Sequence, residues 1–102
     1  MDQTGIIILC RFAVAAEKRE AYLAVVDELV GKPTRQDTGC LQYEYTLPKG
    51  IDNEIVLIER WDSVENLKAH LAADYMKDNA ALKAKYGVVS TPVRYSAAWQ
   101  PM

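Results

Sequence analysis

Apolar and polar positions alternate between two periods along this chain. From Ile6 to Val14 the run Ile-Ile-Ile-Leu-Cys-Arg-Phe-Ala-Val is β-branched and aromatic, which predicts a strand apolar on both faces. The period then changes. Tyr22, Val25, Val26 and Leu29 recur at helical spacing within Ala16–Val30, and Glu17, Lys18, Arg19, Glu20, Asp27 and Glu28 take the other positions. Gly31 and Pro33 are expected to stop this helix, and 34–39 to form a polar loop. Cys40–Leu47 alternates, with Leu41, Tyr43, Tyr45 and Leu47 on one face. Pro48-Lys49-Gly50 opens a turn, and Glu54–Trp61 is a second strand apolar on both sides. Asp62-Ser63 offers an N-cap, with Glu65 placed for a capping box on Asp62, before a short helix striped by Val64, Leu67 and Leu71. Asp74 is the expected cap of a further helix carrying Tyr75, Leu82 and Tyr86, and Gly87 its C′ residue. Thr91–Trp99 reads as the last strand, with Val93, Tyr95, Ala97 and Trp99 on one face.

The order βαββαβ is the ferredoxin-like plan, an α+β fold with a four-stranded antiparallel sheet. Right-handed crossovers put both helical segments on one side of the sheet. The other side then has no cover, although two strands are apolar on both faces. A second copy of the same sheet supplies that cover, so a homodimer joined face to face is expected.

Composition narrows the function classes. The chain has 102 residues, enough for one domain and a core of its own. Twelve basic and 14 acidic residues give a net charge of −2, which argues against a nucleic-acid partner. No run approaches the roughly 20 apolar residues of a membrane span. The longest apolar run, Ile6–Cys10, lacks the basic flank of a signal peptide, so a cytoplasmic location is expected. Cys10 and Cys40, far apart and without a CxxC, then read as thiols rather than a disulfide. One histidine and two separated cysteines make no zinc site, so no metal is expected.

Three segments carry a resemblance to a known family. They are Pro33-Thr34-Arg35 leading to Gly39-Cys40-Leu41-Gln42-Tyr43-Glu44, then Ile55-Val56-Leu57-Ile58-Glu59-Arg60-Trp61, then Asp62-Ser63 through Glu65-Asn66-Leu67-Lys68-Ala69-His70-Leu71. With the strand order they resemble the antibiotic biosynthesis monooxygenases of the dimeric α+β barrel superfamily. The resemblance implies an enzyme without metal, flavin or other cofactor that joins O2 to a small quinol- or anthrone-like aromatic substrate. It implies a pocket between sheet and helices.

The candidate residues divide between spacing and resemblance. His70, the sole histidine, sits at the edge of the apolar stripe and suits a general base, its ordinary pKa being about 6.5. From spacing alone such a histidine is more often a surface or packing residue; the resemblance favours the catalytic role. Asn66 lies one turn earlier, and the resemblance implies that it binds a substrate oxygen; otherwise it is a solvated first-turn residue. The resemblance also points to a tyrosine in the next helix; Tyr75 and Met76 stand near that place, and Tyr75 is the candidate, its bland reading being core packing. Glu59 is a carboxylate inside a central strand, placed to orient His70, to accept a substrate hydroxyl, or to pair with Arg11, Arg60 or Arg94. Trp61 and Tyr43 are expected as walls of the cleft, or as core.

Competing functions follow from the same residues. Haem-degrading relatives use a histidine where Asn79 and Ala80 stand and a tryptophan where His70 stands, and both departures weigh against haem. An isomerase or other acid–base enzyme would use His70 without oxygen. A non-catalytic dimeric binding or stress protein would keep the fold alone.

Overall fold

The computed structural model describes residues 4–98. Its elements are β1 (Thr4–Ala13), α1 (Ala16–Val26), a π-helical turn (Asp27–Gly31), α2 (Lys32–Arg35), β2 (Cys40–Thr46), β3 (Glu54–Trp61), α3 (Val64–Leu71), α4 (Tyr75–Tyr86) and β4 (Val89–Ala98). The four strands form one antiparallel sheet in the order β2-β3-β1-β4, the ferredoxin-like topology. Trp99 lies outside the described residues.

Alternation along the two central strands decides which face the helices cover. Ile6, Ile8, Cys10, Phe12 and Val14 of the β1 segment are buried, as are Ile55, Leu57, Glu59 and Trp61 of β3. The register sets Ile8 opposite Glu59 and Cys10 opposite Leu57, so these side chains share one face. Tyr22, Val26 and Val30 from the first helical segment, Leu67 from α3 and Leu82 from α4 close the core over it. The opposite face carries Ile7, Leu9, Val56, Ile58, Val93 and Tyr95, all half-buried or exposed in the single chain. Both strands are apolar on two sides as expected, yet one chain buries only one of them.

Several local expectations are corrected. Gly31 and Pro33 do not end the helix, which continues through the π-turn to Arg35. Gly31 is in ordinary right-handed helical geometry, φ −60° and ψ −52°. It is glycine because of packing: a Cβ there would stand 2.5 Å from Asp27 Oδ1 and 3.2 Å from the Tyr45 ring. Pro33 stands near the start of α2, immediately after the π-turn. Buried Thr34 is tied by its Oγ1, which donates to the Val30 carbonyl at 2.6 Å.

The alternation of β2 also breaks at its start. A β-bulge shifts the register between Cys40 and Gln42, so Cys40 pairs with Trp61 and Gln42 with Arg60. Leu41 is therefore the extra residue and is exposed, while Cys40 joins the Tyr43 face. Ser63, not Asp62, caps α3: its Oγ accepts from the Asn66 N–H at 3.2 Å. Asp74 is itself helical and makes no side-chain cap, whereas Gly87 is left-handed at φ 67°, as a C′ glycine should be. β4 begins at Val89, two residues before the expected start.

Candidate active site

The rotation of α3 decides the site. The expected stripe ended on Leu71, but that side chain is 56% exposed, and His70 takes the inward position at 2% exposure. The reason is the partner waiting at the end of β3. The imidazole stacks on the Trp61 indole, with centroids 4.8 Å apart and planes 30° apart, and meets the edge of Tyr43 at 5.7 Å.

A buried imidazole needs a polar partner. His70 Nδ1 is 2.7 Å from the Tyr75 hydroxyl, which in turn donates to Asp37 Oδ2. The Asp37 carboxylate also lies 3.7 Å from His70 Nδ1. Since the one phenolic proton goes to Asp37, the network assigns the imidazole proton to Nδ1, donating to the Tyr75 oxygen, and leaves Nε2 as the basic nitrogen. Burial pushes the His70 pKa below its ordinary value, and the Asp37 charge opposes that shift. The imidazole is therefore neutral near pH 7. Burial, then the bond to Asp37, pushes the Tyr75 phenol up.

Asp37 is absent from the sequence-based candidates because it sits in the polar segment 36–39, where nothing in the pattern marks it. The only usable signal was indirect: a histidine on the buried side of a helix demands a partner. The segment is held by backbone bonds, Asp37 N–H to the Thr34 carbonyl at 3.0 Å and Asp62 N–H to the Gly39 carbonyl at 2.9 Å.

Asp37, Thr38, Asn66, Ala69 and His70 line a cleft of about 190 Å³. Asn66 thus shares the cleft with His70. Its amide Nδ2 donates to Asp62 Oδ1 at 2.8 Å, which fixes the side chain and leaves its carbonyl oxygen free to accept. Gly39, next to the cleft-lining Thr38, packs against Asp62 and Asn66. Its φ is +81°, and a Cβ there would collide with Asp62 Oδ1 and the Asn66 side chain. Gly39→Ala is expected to destabilise the fold by about 1–3 kcal/mol and to displace Asn66, measurable by thermal melting and by altered Asn66 amide resonances.

Glu59, Trp61 and Tyr43 stand behind this cleft rather than along it. Glu59 is buried and accepts from Trp61 Nε1 at 3.0 Å. None of the expected arginines holds it: Arg11 pairs with Glu54 at 3.1 Å and Arg60 with Gln42 at 2.8 Å, while Arg94 is exposed. Glu59 therefore fixes the indole on which His70 lies. Burial raises its pKa, partly offset by the indole bond and the Lys83 charge. The folded chain holds this proton more tightly than the unfolded one. The stability Glu59 contributes is thus full below the unfolded pKa and lost as pH rises through the folded value. Glu59→Gln keeps the indole bond without the charge. It is expected to raise the melting temperature near neutral pH and to make little difference below about pH 4.

Among the described residues no group of three His, Cys, Asp or Glu side chains is placed to hold a metal, and no helix is long and apolar enough to cross a membrane. Cys10 and Cys40 are free thiols.

The family model for antibiotic biosynthesis monooxygenase matches residues 5–82, an interval containing every residue named in the site. The chain belongs to the antibiotic biosynthesis monooxygenase family. Solved structures agree in fold. One described as an antibiotic biosynthesis monooxygenase is 25% identical, with a TM-score of 0.77, covering 90% of this chain and 97% of its own. SnoaB from Streptomyces nogalater, a cofactor-independent oxygenase, is 17% identical at a TM-score of 0.72, covering 94% and 95%. A Bacteroides thetaiotaomicron protein of unknown function, described as a possible oxidoreductase, is 16% identical at 0.83, covering 93% and 99%. No curated protein matches the sequence.

Within this family member, sequence reasoning named His70, Asn66, Tyr75, Trp61, Tyr43 and Glu59. The fold brings His70, Tyr75, Trp61 and Tyr43 into contact and sets Asn66 beside them in the cleft. Glu59 reaches the group only through Trp61.

Proposed function

We propose that the protein is a cofactor-independent monooxygenase acting on a small quinol-like aromatic, with His70 as the base and Asn66 as a substrate ligand. The observation that carries this reading is a neutral, buried imidazole whose Nδ1 is committed to Tyr75, at the edge of a cleft shared with Asn66. Family membership and the oxygenase activity of SnoaB support oxygen as the co-substrate.

The chemistry balances without a cofactor because the substrate supplies the electrons. His70 Nε2 takes a phenolic proton, and the resulting anion is electron-rich enough to pass one electron to O2. The superoxide and the substrate radical recombine to form a C–O bond, giving a hydroperoxide. Its O–O bond then breaks: one oxygen stays on the ring as carbonyl or hydroxyl, and the other leaves as water with two substrate hydrogens. A hydroquinone plus O2 thus yields a hydroxyquinone plus water.

Size narrows the substrate. A cavity of about 150 Å³ suffices for benzene, so the cleft of about 190 Å³ holds one aromatic ring with its oxygens. A three-ring anthrone would extend beyond it.

The helix-free sheet face is proposed to join two copies, since its apolar centre is otherwise left to water. Oxygen uptake with single-ring hydroquinones, compared between the wild type and His70→Ala, tests the enzymatic reading. Turnover of such a substrate without oxygen consumption would instead indicate an isomerase or other acid–base enzyme built on the same histidine.

A further inference from the structure

We propose that Asp37, acting through the Tyr75 hydroxyl, is the positioning residue of this site: it fixes the tautomer of His70 and balances the positive charge that the imidazole gains when it takes the substrate proton. The inference rests on the proposed role of His70 as the base.

Three elements converge to build the relay. α3 brings His70 inward, the start of α4 brings Tyr75, and the bend between α2 and β2 brings Asp37. The hydroxyl lies between the other two, 2.7 Å from His70 Nδ1 and bonded to Asp37 Oδ2. One phenolic proton cannot serve both neighbours. A carboxylate only accepts, so the hydroxyl must donate to Asp37 and accept from Nδ1–H. The proton order is therefore set by Asp37, although its carboxylate is 3.7 Å from the ring nitrogen.

Charge gives the same assignment. The other faces of the imidazole meet Trp61 and Tyr43. Tyr43 is neutral at working pH because burial, then Tyr45 and Glu59, push its phenol far up. Tyr75 is neutral for the causes already given. Cys40, near Tyr75 and Asp37, is likewise raised by burial and stays a thiol. Asp37 is then the charge that acts on His70, and it favours the imidazolium against the penalty of burial. A base must gain a proton in the transition state, and a fixed negative charge on its far side stabilises that state without touching substrate. Tyr75 stands between the two groups, and burial, which outweighs the Asp37 charge, keeps the imidazole neutral at rest.

The chain contains one histidine, so nitrogen NMR of imidazole-labelled protein reads this group alone. In the wild type the proton is expected on Nδ1. Asp37→Asn keeps an acceptor for Tyr75 but removes the charge, and the His70 midpoint is expected to move lower still. Tyr75→Phe is the second variant: it removes the bridge, and both tautomers should then be populated. In both variants kcat on a hydroquinone is expected to fall by about 10- to 100-fold, part of the roughly 10²–10⁴ that a positioned base supplies. KM should change little, and the acid limb of the kcat profile should move with the NMR midpoint. A wild-type proton on Nε2, or a midpoint unmoved in folded Asp37→Asn, would overturn the relay. So would an unchanged kcat in that variant when His70→Ala has lost its turnover, and the oxygenase reading would then survive. If the NMR coupling is present but no hydroquinone drives oxygen uptake, the relay stands and the oxygenase reading falls.

Discussion

His70→Ala is expected to lower hydroquinone-dependent oxygen uptake by roughly 10²–10⁴ in kcat, the usual contribution of a positioned general base. The same substitution is not structurally silent. At 2% exposure the imidazole is part of the packed interior, stacked on Trp61. Its removal leaves a cavity and a half-buried Tyr75 hydroxyl with one partner fewer, a cost of about 1–3 kcal/mol. A domain of this size should then melt about 4–8 °C lower for each kcal/mol lost. Circular dichroism at the assay temperature separates the two effects, because a variant still folded cannot owe a hundredfold loss to unfolding. The pH profile adds an independent check. Burial holds the His70 pKa below its ordinary value, so kcat should stay flat through neutral pH and fall only on the acid side of that range, as the base becomes protonated. A rate changed only a few-fold in His70→Ala would return His70 to a packing role.

Leu9→Glu is expected to convert a dimer into a monomer. Leu9 is at the centre of the helix-free face, 40% exposed, between Ile58 on β3 and Val93 on β4. In a single chain it points to water, so the substitution should leave the fold and the His70 cleft intact. In the proposed dimer it would bury one carboxylate from each copy in apolar surroundings, without a partner, at several kcal/mol. At about 1.4 kcal/mol per tenfold, dissociation should strengthen by 100-fold or more. Light scattering at micromolar concentration should give about twice 11.5 kDa for the wild type and 11.5 kDa for the variant. A monomeric wild type, or an undisturbed variant dimer, would exclude this face as the interface.

The positions of glycine show where pattern and packing part company. Gly87 was legible as a C′ residue because a helix end needs a left-handed residue locally, and it has φ 67°. Gly31 carried the same chemical signal and meant something else. Its missing side chain makes room for Asp27 and Tyr45, groups brought there by the π-turn and by β2. Leu41 likewise follows a correct alternation until a bulge, a feature of pairing with β3, displaces it. The inward turn of His70 in place of Leu71 depends on the indole of Trp61, nine residues earlier in the chain but adjacent in space.

By itself the sequence determined the element order, the antiparallel α+β sheet and the two-sided apolar character of its central strands, and it named five of the six side chains gathered at or near His70; which strand face meets the helices was left to the tertiary structure. The order and the strands follow from local periodicity and from residue types suited to burial, properties that each segment carries alone, whereas Asn66 and Tyr75 were marked by the family resemblance, which also favoured His70. Only the tertiary structure decided that Asp37 completes the group, that Tyr75 is engaged between it and His70, and that Glu59 serves Trp61 instead of an arginine. These pairings join residues up to 38 positions apart. A polar loop residue acquires its partner from the packing of other elements, and no periodicity in its own segment records that contact.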